Sequence, residues 1–330
     1  MAKITFIGTG AWASALATVL TKNENDVVMW GIDNNEINDI NKGINSKYFN
    51  SLRFNKSHFL RATNNLSEAL KEFDFLVLAV PSNHIVPVLK QISTKLDGRK
   101  INLINVAKGI DEKTNNFFSE VLTNEFQENI KNYCTLIGPS FAIEVFENKL
   151  TMINIVGPNK NFLKDVQKIF NNDTFRLVIN KNERGSELFA ALKNVLAIGI
   201  GMINYYHPYN NPQAALLSIG VKEIHTVYKT LYPHSSDNIG FELAGIGDIF
   251  LTCSSPKSRN FSFGRQVAEM GIKKTLKINK KTIEGYYAAE NLNEIIKNNN
   301  KLHIPFLKSI IDVLFNNKNE KKLLDFIQTY

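Results

Sequence analysis

A short strand-like stretch, Ile4-Thr5-Phe6-Ile7, runs directly into Gly8-Thr9-Gly10-Ala11-Trp12-Ala13, and helical spacing begins at Trp12. Few folds accommodate a strand that becomes a helix over so short a join. The turn fits the pattern G-x-G-x-x-G/A, with Ala13 in the third place. Gly8 allows the tight turn, and Gly10 lets the backbone approach a pyrophosphate held by the free N–H groups of the helix start. The pattern means little alone and much more between a strand and a helix of an alternating domain.

That alternation follows. Val27 to Trp30, Phe73 to Val80, Ile101 to Val106, Cys134 to Ile137, Met152 to Val156 and Phe175 to Ile179 read as short apolar strands. Helical stretches separate them: Trp12 to Lys22, Asn34 to Asn41, His84 to Leu96, Thr114 to Phe126, Phe141 to Asn148 and Asn161 to Asn171. Buried strands alternating with helices predict a mainly parallel sheet covered on both faces. From Glu183 onward the periodicity is helical, with almost no strand signal. The expected architecture is α/β: a Rossmann-like domain over residues 1–180 that binds NAD(P), followed by an all-α domain over 181–330 that binds substrate, with the cleft between them.

Composition sets limits on this reading. With 44% apolar and 21% charged residues the chain has globular values. Cys134 and Cys253 cannot make a disulfide framework, and no Cys/His spacing suits a metal. That cysteine usage leads to an expected reducing, cytoplasmic setting, and no signal peptide is visible after Met1-Ala2-Lys3. The net charge of +8 invites a nucleic-acid partner. The excess sits largely in Lys273-Lys274, Lys280-Lys281 and Lys321-Lys322, without aromatic interleaving or a nucleic-acid motif, so a solvated lysine surface is expected instead.

Lys193 is the anomaly. It stands with Asn194 inside the apolar run Leu188 to Ile203. A helix apolar on all sides is buried, and a buried ammonium needs a partner. The run is short for a membrane span and carries a charge near its middle. Either Lys193 faces a cleft that holds something anionic, or the run is not one buried helix.

Further polar residues stand at strand ends, where open α/β sheets bind ligands. Val80-Pro81-Ser82 and Ala107-Lys108-Gly109 follow two strands, and Lys108 adds a second cation. Gly138-Pro139-Ser140-Phe141-Ala142 is a similar turn, in which Ser140 either caps a helix or presents N–H groups to an anion. Later, Asp248 follows Gly245-Ile246-Gly247, and Ser258-Arg259-Asn260 offers a hydroxyl, a guanidinium fork and an amide suited to phosphate. Cys253 has no flanking histidine and reads as a small core residue. Asp33 either meets the ribose hydroxyls of NAD or caps the next helix, and no arginine stands there for a 2′-phosphate. This favours NAD, with NADP the alternative.

These motifs together, in order along nearly the whole chain, resemble bacterial NAD(P)-dependent glycerol-3-phosphate dehydrogenase. The likeness runs through Gly8-Thr-Gly-Ala-Trp12, Val80-Pro-Ser82, Ala107-Lys-Gly109, Gly138-Pro-Ser140-Phe-Ala142 and Leu192-Lys-Asn-Val195. It continues in Gly247-Asp248, Leu251-Thr-Cys253, Ser258-Arg-Asn260 and Ile283-Glu-Gly-Tyr286. Glycine is usual in the family where Ala13 stands, and threonine is frequent where Ser140 stands. The resemblance implies reversible reduction of dihydroxyacetone phosphate to sn-glycerol 3-phosphate by NAD(P)H, feeding glycerophospholipid synthesis. It implies Lys193 as the catalytic acid/base. Lys108, Gly138, Ser140, Asn194, Asp248, Ser258, Arg259 and Asn260 are the implied substrate contacts. Gly8, Gly10, Ala11, Trp12, Lys108, Ala142, Arg259 and Glu284 are the implied cofactor contacts. A homodimer without membrane insertion is also implied.

The chemistry agrees. Hydride delivery to a ketone leaves charge on oxygen that a proton donor must meet. A lysine serves if burial and a neighbouring cation such as Lys108 lower its pKa, with Asn194 and Asp248 holding the ammonium. A clamp on the distant phosphate fixes the reacting geometry. Two rivals stand beside this reading: another two-domain dehydrogenase acting on a hydroxy acid or sugar acid, and a non-catalytic NAD(P)-binding redox sensor.

Overall fold

Apolar residues at alternate positions along the early strands feed two separate cores. Ile4, Phe6, Val77 and Ile104 belong to one buried cluster, while Ile7, Leu76, Leu78 and Leu103 belong to the other. A sheet with both faces covered is the consequence. A computed structural model describes residues 1–111, 114, 116–235, 237–279, 283–299 and 301–330. They fall into two compact units, one of Met1–Asp111 with Asn116–Glu183, the other built on Arg184–Tyr330.

The first unit carries strands β1 (Lys3–Ile7), β2 (Asp26–Trp30), β3 (Leu60–Thr63), β4 (Phe75–Leu78), β5 (Ile101–Asn105), β6 (Ile130–Ile137), β7 (Thr151–Val156) and β8 (Phe175–Ile179). They form one eight-stranded sheet in the order β3-β2-β1-β4-β5-β6-β7-β8. Every pairing is parallel except β6 with β7. The order reverses between β1 and β4, the switch point at which the connections leave room for a ligand. The α/β reading of this half therefore holds.

Three local differences have plain causes. Strand β3, Leu-Arg-Ala-Thr, escaped the sequence reading because it is a short edge strand with only two apolar side chains turned inward. The helix expected over Thr114 to Phe126 is Phe118–Glu125; residues 112, 113 and 115 lie outside the described residues. The helix expected from His84 runs over Ile85–Ser93, with Pro87 in its first turn, where no intrahelical N–H is lost.

The second unit is helical, with no strand among its described residues. Its central element is the helix Glu183–Tyr206, buried from Gly185 to Ile203. It is longer than the apolar run suggested. At 24 residues it has the length and composition to cross a membrane, so length does not set that aside; its apolar window is instead wholly buried within the fold. Neighbours approach it closely through glycines. A Cβ on Gly264 would lie 2.0 Å from the Ile198 carbonyl oxygen, and one on Gly201 would lie 2.1 Å from that of Phe261. The helix Arg259–Met270 thus packs backbone to backbone on Glu183–Tyr206. Lys273, Lys274, Lys321 and Lys322 are exposed, as a solvated surface requires; Lys280, Lys281 and Asn300 lie outside the described residues.

Candidate active site

In the first unit the candidate residues line one edge of the sheet. Strands β1, β4, β5 and β6 are neighbours, so the turns that follow them lie side by side. Gly8 has φ +124°, and a Cβ there would sit 2.5 Å from the Ala79 carbonyl oxygen, so β1 and the β4 turn meet where only glycine fits. Gly10 differs. Its φ of −63° suits any residue, and a Cβ there would have nothing within 4 Å. No side chain caps the helix Ala11–Lys22 that it opens. An open, uncapped helix start beside a tight turn fits the pyrophosphate of a dinucleotide. Trp12 and Ala142 are both half-buried against the same core, and the helix Ala142–Phe146 packs on Ala11–Lys22.

Lys108 and the Gly138 turn come together. The Lys108 ammonium donates to the Gly138 carbonyl oxygen at 2.9 Å, and the Ser140 hydroxyl donates to the same oxygen at 3.2 Å. A Cβ on Gly138 would lie 2.8 Å from that of Ile153, which fixes the turn against β7. Asn105, buried and not singled out in the sequence, braces the Lys108 loop by accepting from the Ala107 N–H at 3.1 Å. Asp33 caps the helix Asn34–Asn41 by accepting from the Asn35 and Glu36 N–H groups.

In the second unit Lys193 is 5% exposed and Asp248 2%. The Lys193 ammonium donates to the Thr252 hydroxyl at 2.7 Å and lies 3.4 Å from Asp248 Oδ1. The carboxylate offsets part of the cost of burying the ammonium. Thr252 has no role in the sequence analysis, yet its hydroxyl accepts from this amine beside Asp248. Asn194, next to Lys193 on the same helix, is buried as well. Thr252 follows Asp248 by four residues on one helix, a spacing that could have revealed it. Cys253 is buried, and burial pushes its thiol up to about 12, consistent with a core residue.

Ser258 caps the helix Arg259–Met270 by accepting from the Phe261 N–H at 3.3 Å. The Arg259 guanidinium pairs with Glu284, the first residue of the helix Glu284–Asn298. Asn260 accepts from the Gly285 N–H at 3.0 Å, and a Cβ on Gly285 would lie 2.6 Å from the Asn194 carbonyl oxygen. Asn194, Asn260, Glu284 and Arg259 are thereby gathered within this unit. The candidates of the first unit, from Gly8 to Ala142, form a set of their own.

Two family descriptions cover nearly the whole chain. Residues 3–163 match the N-terminal region of NAD-dependent glycerol-3-phosphate dehydrogenase, and residues 182–325 match its C-terminal region. The chain belongs to the NAD-dependent glycerol-3-phosphate dehydrogenase family. Within it, the chain is 41% identical to the glycerol-3-phosphate dehydrogenase [NAD(P)+] of Malacoplasma penetrans, covering 94% of this chain and 92% of that one. It is 36% identical to the enzyme of the same name from Mesoplasma florum, covering 98% and 96%. The crystal structure of glycerol-3-phosphate dehydrogenase from Coxiella burnetii superposes with a TM-score of 0.87 at 25% identity, over 100% of this chain and 99% of that one. Membership in this family of dehydrogenases decides against a non-catalytic redox sensor.

Proposed function

We propose that this protein reduces dihydroxyacetone phosphate to sn-glycerol 3-phosphate, and catalyses the reverse, with residues 1–180 holding the cofactor and residues 181–330 the substrate. The observation that carries the reading is the buried amine of Lys193, held at 2.7 Å from Thr252 and 3.4 Å from Asp248 in the unit that matches the family's C-terminal half. When bound, the reduced nicotinamide supplies the hydride. Lys193 donates a proton to the carbonyl oxygen as it gains charge, and takes it back in the reverse direction. Thr252 and Asp248 fix the direction of the amine. The guanidinium of Arg259 and the amide of Asn260 clamp the phosphate, with Glu284 holding the guanidinium in place.

Lys108, Gly138 and Ser140 contribute substrate contacts from the sheet edge, and Gly8, Gly10, Ala11, Trp12 and Ala142 hold the dinucleotide. The product is the backbone of glycerophospholipids, and we assign the enzyme to their synthesis, in the cytoplasm and as a homodimer. Two free, buried cysteines suit a reducing compartment; sedimentation tests the dimer. The decisive assays follow NADH and NADPH oxidation with dihydroxyacetone phosphate and with ketopantoate, and NAD+ and NADP+ reduction with 6-phosphogluconate. Turnover with the triose phosphate alone is expected, and Lys193→Ala should lower kcat by about 10²–10⁴-fold. Turnover with either of the other acids instead, or near-normal kcat in that variant, refutes the assignment.

A further inference from the structure

The two nicotinamide cofactors differ by one phosphate on the adenosine ribose. In dinucleotide folds of this kind the carboxyl end of the second strand meets that ribose: an acid there accepts from the free hydroxyl, and an arginine there accommodates the phosphate. Here β2 ends at Trp30, and the chain continues hard against the glycine turn. The Gly31 N–H donates to the Thr63 carbonyl oxygen at 3.2 Å, and a Cβ on Gly31 would lie 2.6 Å from the Thr9 side chain. The next side chain, Ile32, is 87% exposed and carries no charge.

Beyond it stand two carboxylates. Asp33 Oδ1 accepts from the Asn35 N–H at 2.9 Å, and its Oδ2 lies 3.2 Å from the Lys47 ammonium. Glu36 is 6% exposed; it pairs with the same ammonium and accepts from Thr9 Oγ1, a hydroxyl of the glycine turn itself. The one cation of this cluster is therefore already shared between two anions. Of the arginines nearest in sequence, Arg53 donates to the Lys42 carbonyl oxygen and Arg61 pairs with Glu68. A monoester phosphate carries a charge of about −1.5 to −2 near neutral pH. At this end of β2 it would meet a net negative cluster and an aliphatic side chain.

We propose that this enzyme selects NADH over NADPH, with Asp33 and Glu36 repelling the 2′-phosphate and Ile32 leaving no cation to receive it. The inference rests on the dinucleotide site proposed above, but not on the identity of the substrate. The test is direct titration of the purified enzyme with NADH and with NADPH, by calorimetry or tryptophan fluorescence, beside kcat/KM for each with dihydroxyacetone phosphate. NADH should bind at least about tenfold tighter, since like charges in juxtaposition are strongly disfavoured. Asp33→Asn keeps a capping side chain and removes one charge, so it should narrow the ratio several-fold by tightening NADPH. Ile32→Arg should narrow it further or reverse it. Equal binding of the two, tighter NADPH, or a ratio unmoved by both variants overturns the proposal. Binding of neither nucleotide overturns it together with the dinucleotide site. Selective NADH binding without turnover of the triose phosphate upholds it and overturns only the substrate assignment.

Discussion

Gly8 and Gly10 are two residues apart, yet the structure gives them different reasons to be glycine, and alanine substitutions separate the two. At Gly10 the backbone already has angles open to alanine, and a Cβ would meet nothing within 4 Å. Stiffening the unfolded chain gains about 0.4–1 kcal/mol, against a similar loss because alanine is a poorer N-cap than glycine. The net change in stability should stay within about 1 kcal/mol, and the melting temperature within about 4 °C. Cofactor affinity should behave otherwise. The added methyl occupies the space that lets a pyrophosphate approach the helix start. Overpacking of about 1–3 kcal/mol corresponds to roughly 5- to 150-fold weaker binding. Gly8→Ala should do the reverse in stability: φ of +124° and an approach of 2.5 Å to the Ala79 carbonyl oxygen make a loss of about 2–4 kcal/mol. Thermal melts of the apo-protein and calorimetric NADH titrations read both quantities. A Gly10→Ala protein that melts far below wild type, or one that binds NADH as tightly, refutes the distinction.

Three further outcomes follow from the packing. Thr252→Val removes the hydroxyl 2.7 Å from the Lys193 amine at nearly constant volume; a lost hydrogen bond to a charged group of about 1.5–3 kcal/mol should lower kcat about 10- to 100-fold with little change in KM, and an unchanged kcat would show that the hydroxyl does not position the amine. Gly264→Ala drives a methyl to 2.0 Å from the Ile198 carbonyl oxygen; urea melts should register a loss of about 1–3 kcal/mol, and wild-type stability would mean that the two helices are not so close. Glu223 is buried while accepting from the Phe306 and Leu307 N–H groups, and burial raises its carboxyl to about 7. The folded state then holds this proton where the unfolded state has released it, so the stabilisation is complete below the ordinary glutamate value and disappears as pH rises through about 7. Denaturant midpoints for wild type and Glu223→Gln between pH 5 and 8 should show a steeper decline in wild type; parallel curves would contradict the assignment.

The order of elements was legible because every strand except β3 contains a short stretch rich in apolar residues, and because the glycine turn ties the first strand to the first helix. Strand β3 was not, since two inward side chains carry too little signal. The candidate site was legible as a set of residue types: Lys193 by its misplacement in an apolar helix, and Arg259 and Asn260 by their phosphate chemistry. What periodicity could not supply were the partners. The Thr252 hydroxyl beside the amine comes from a helix 59 positions away in sequence, and Asn105 acts only through the turn it braces. Such pairings depend on which helix faces meet, and a linear pattern does not carry that.

The long helix that bears Lys193 is approached by neighbours through Gly264 and Gly285, and itself offers Gly201. The amine's location is thus set by places where a side chain is missing. A saturation library screened for growth should find these glycines as intolerant as the lysine, though none of them carries a functional group. Drift across the lysine-rich exterior should, by contrast, leave the spacing around the amine untouched.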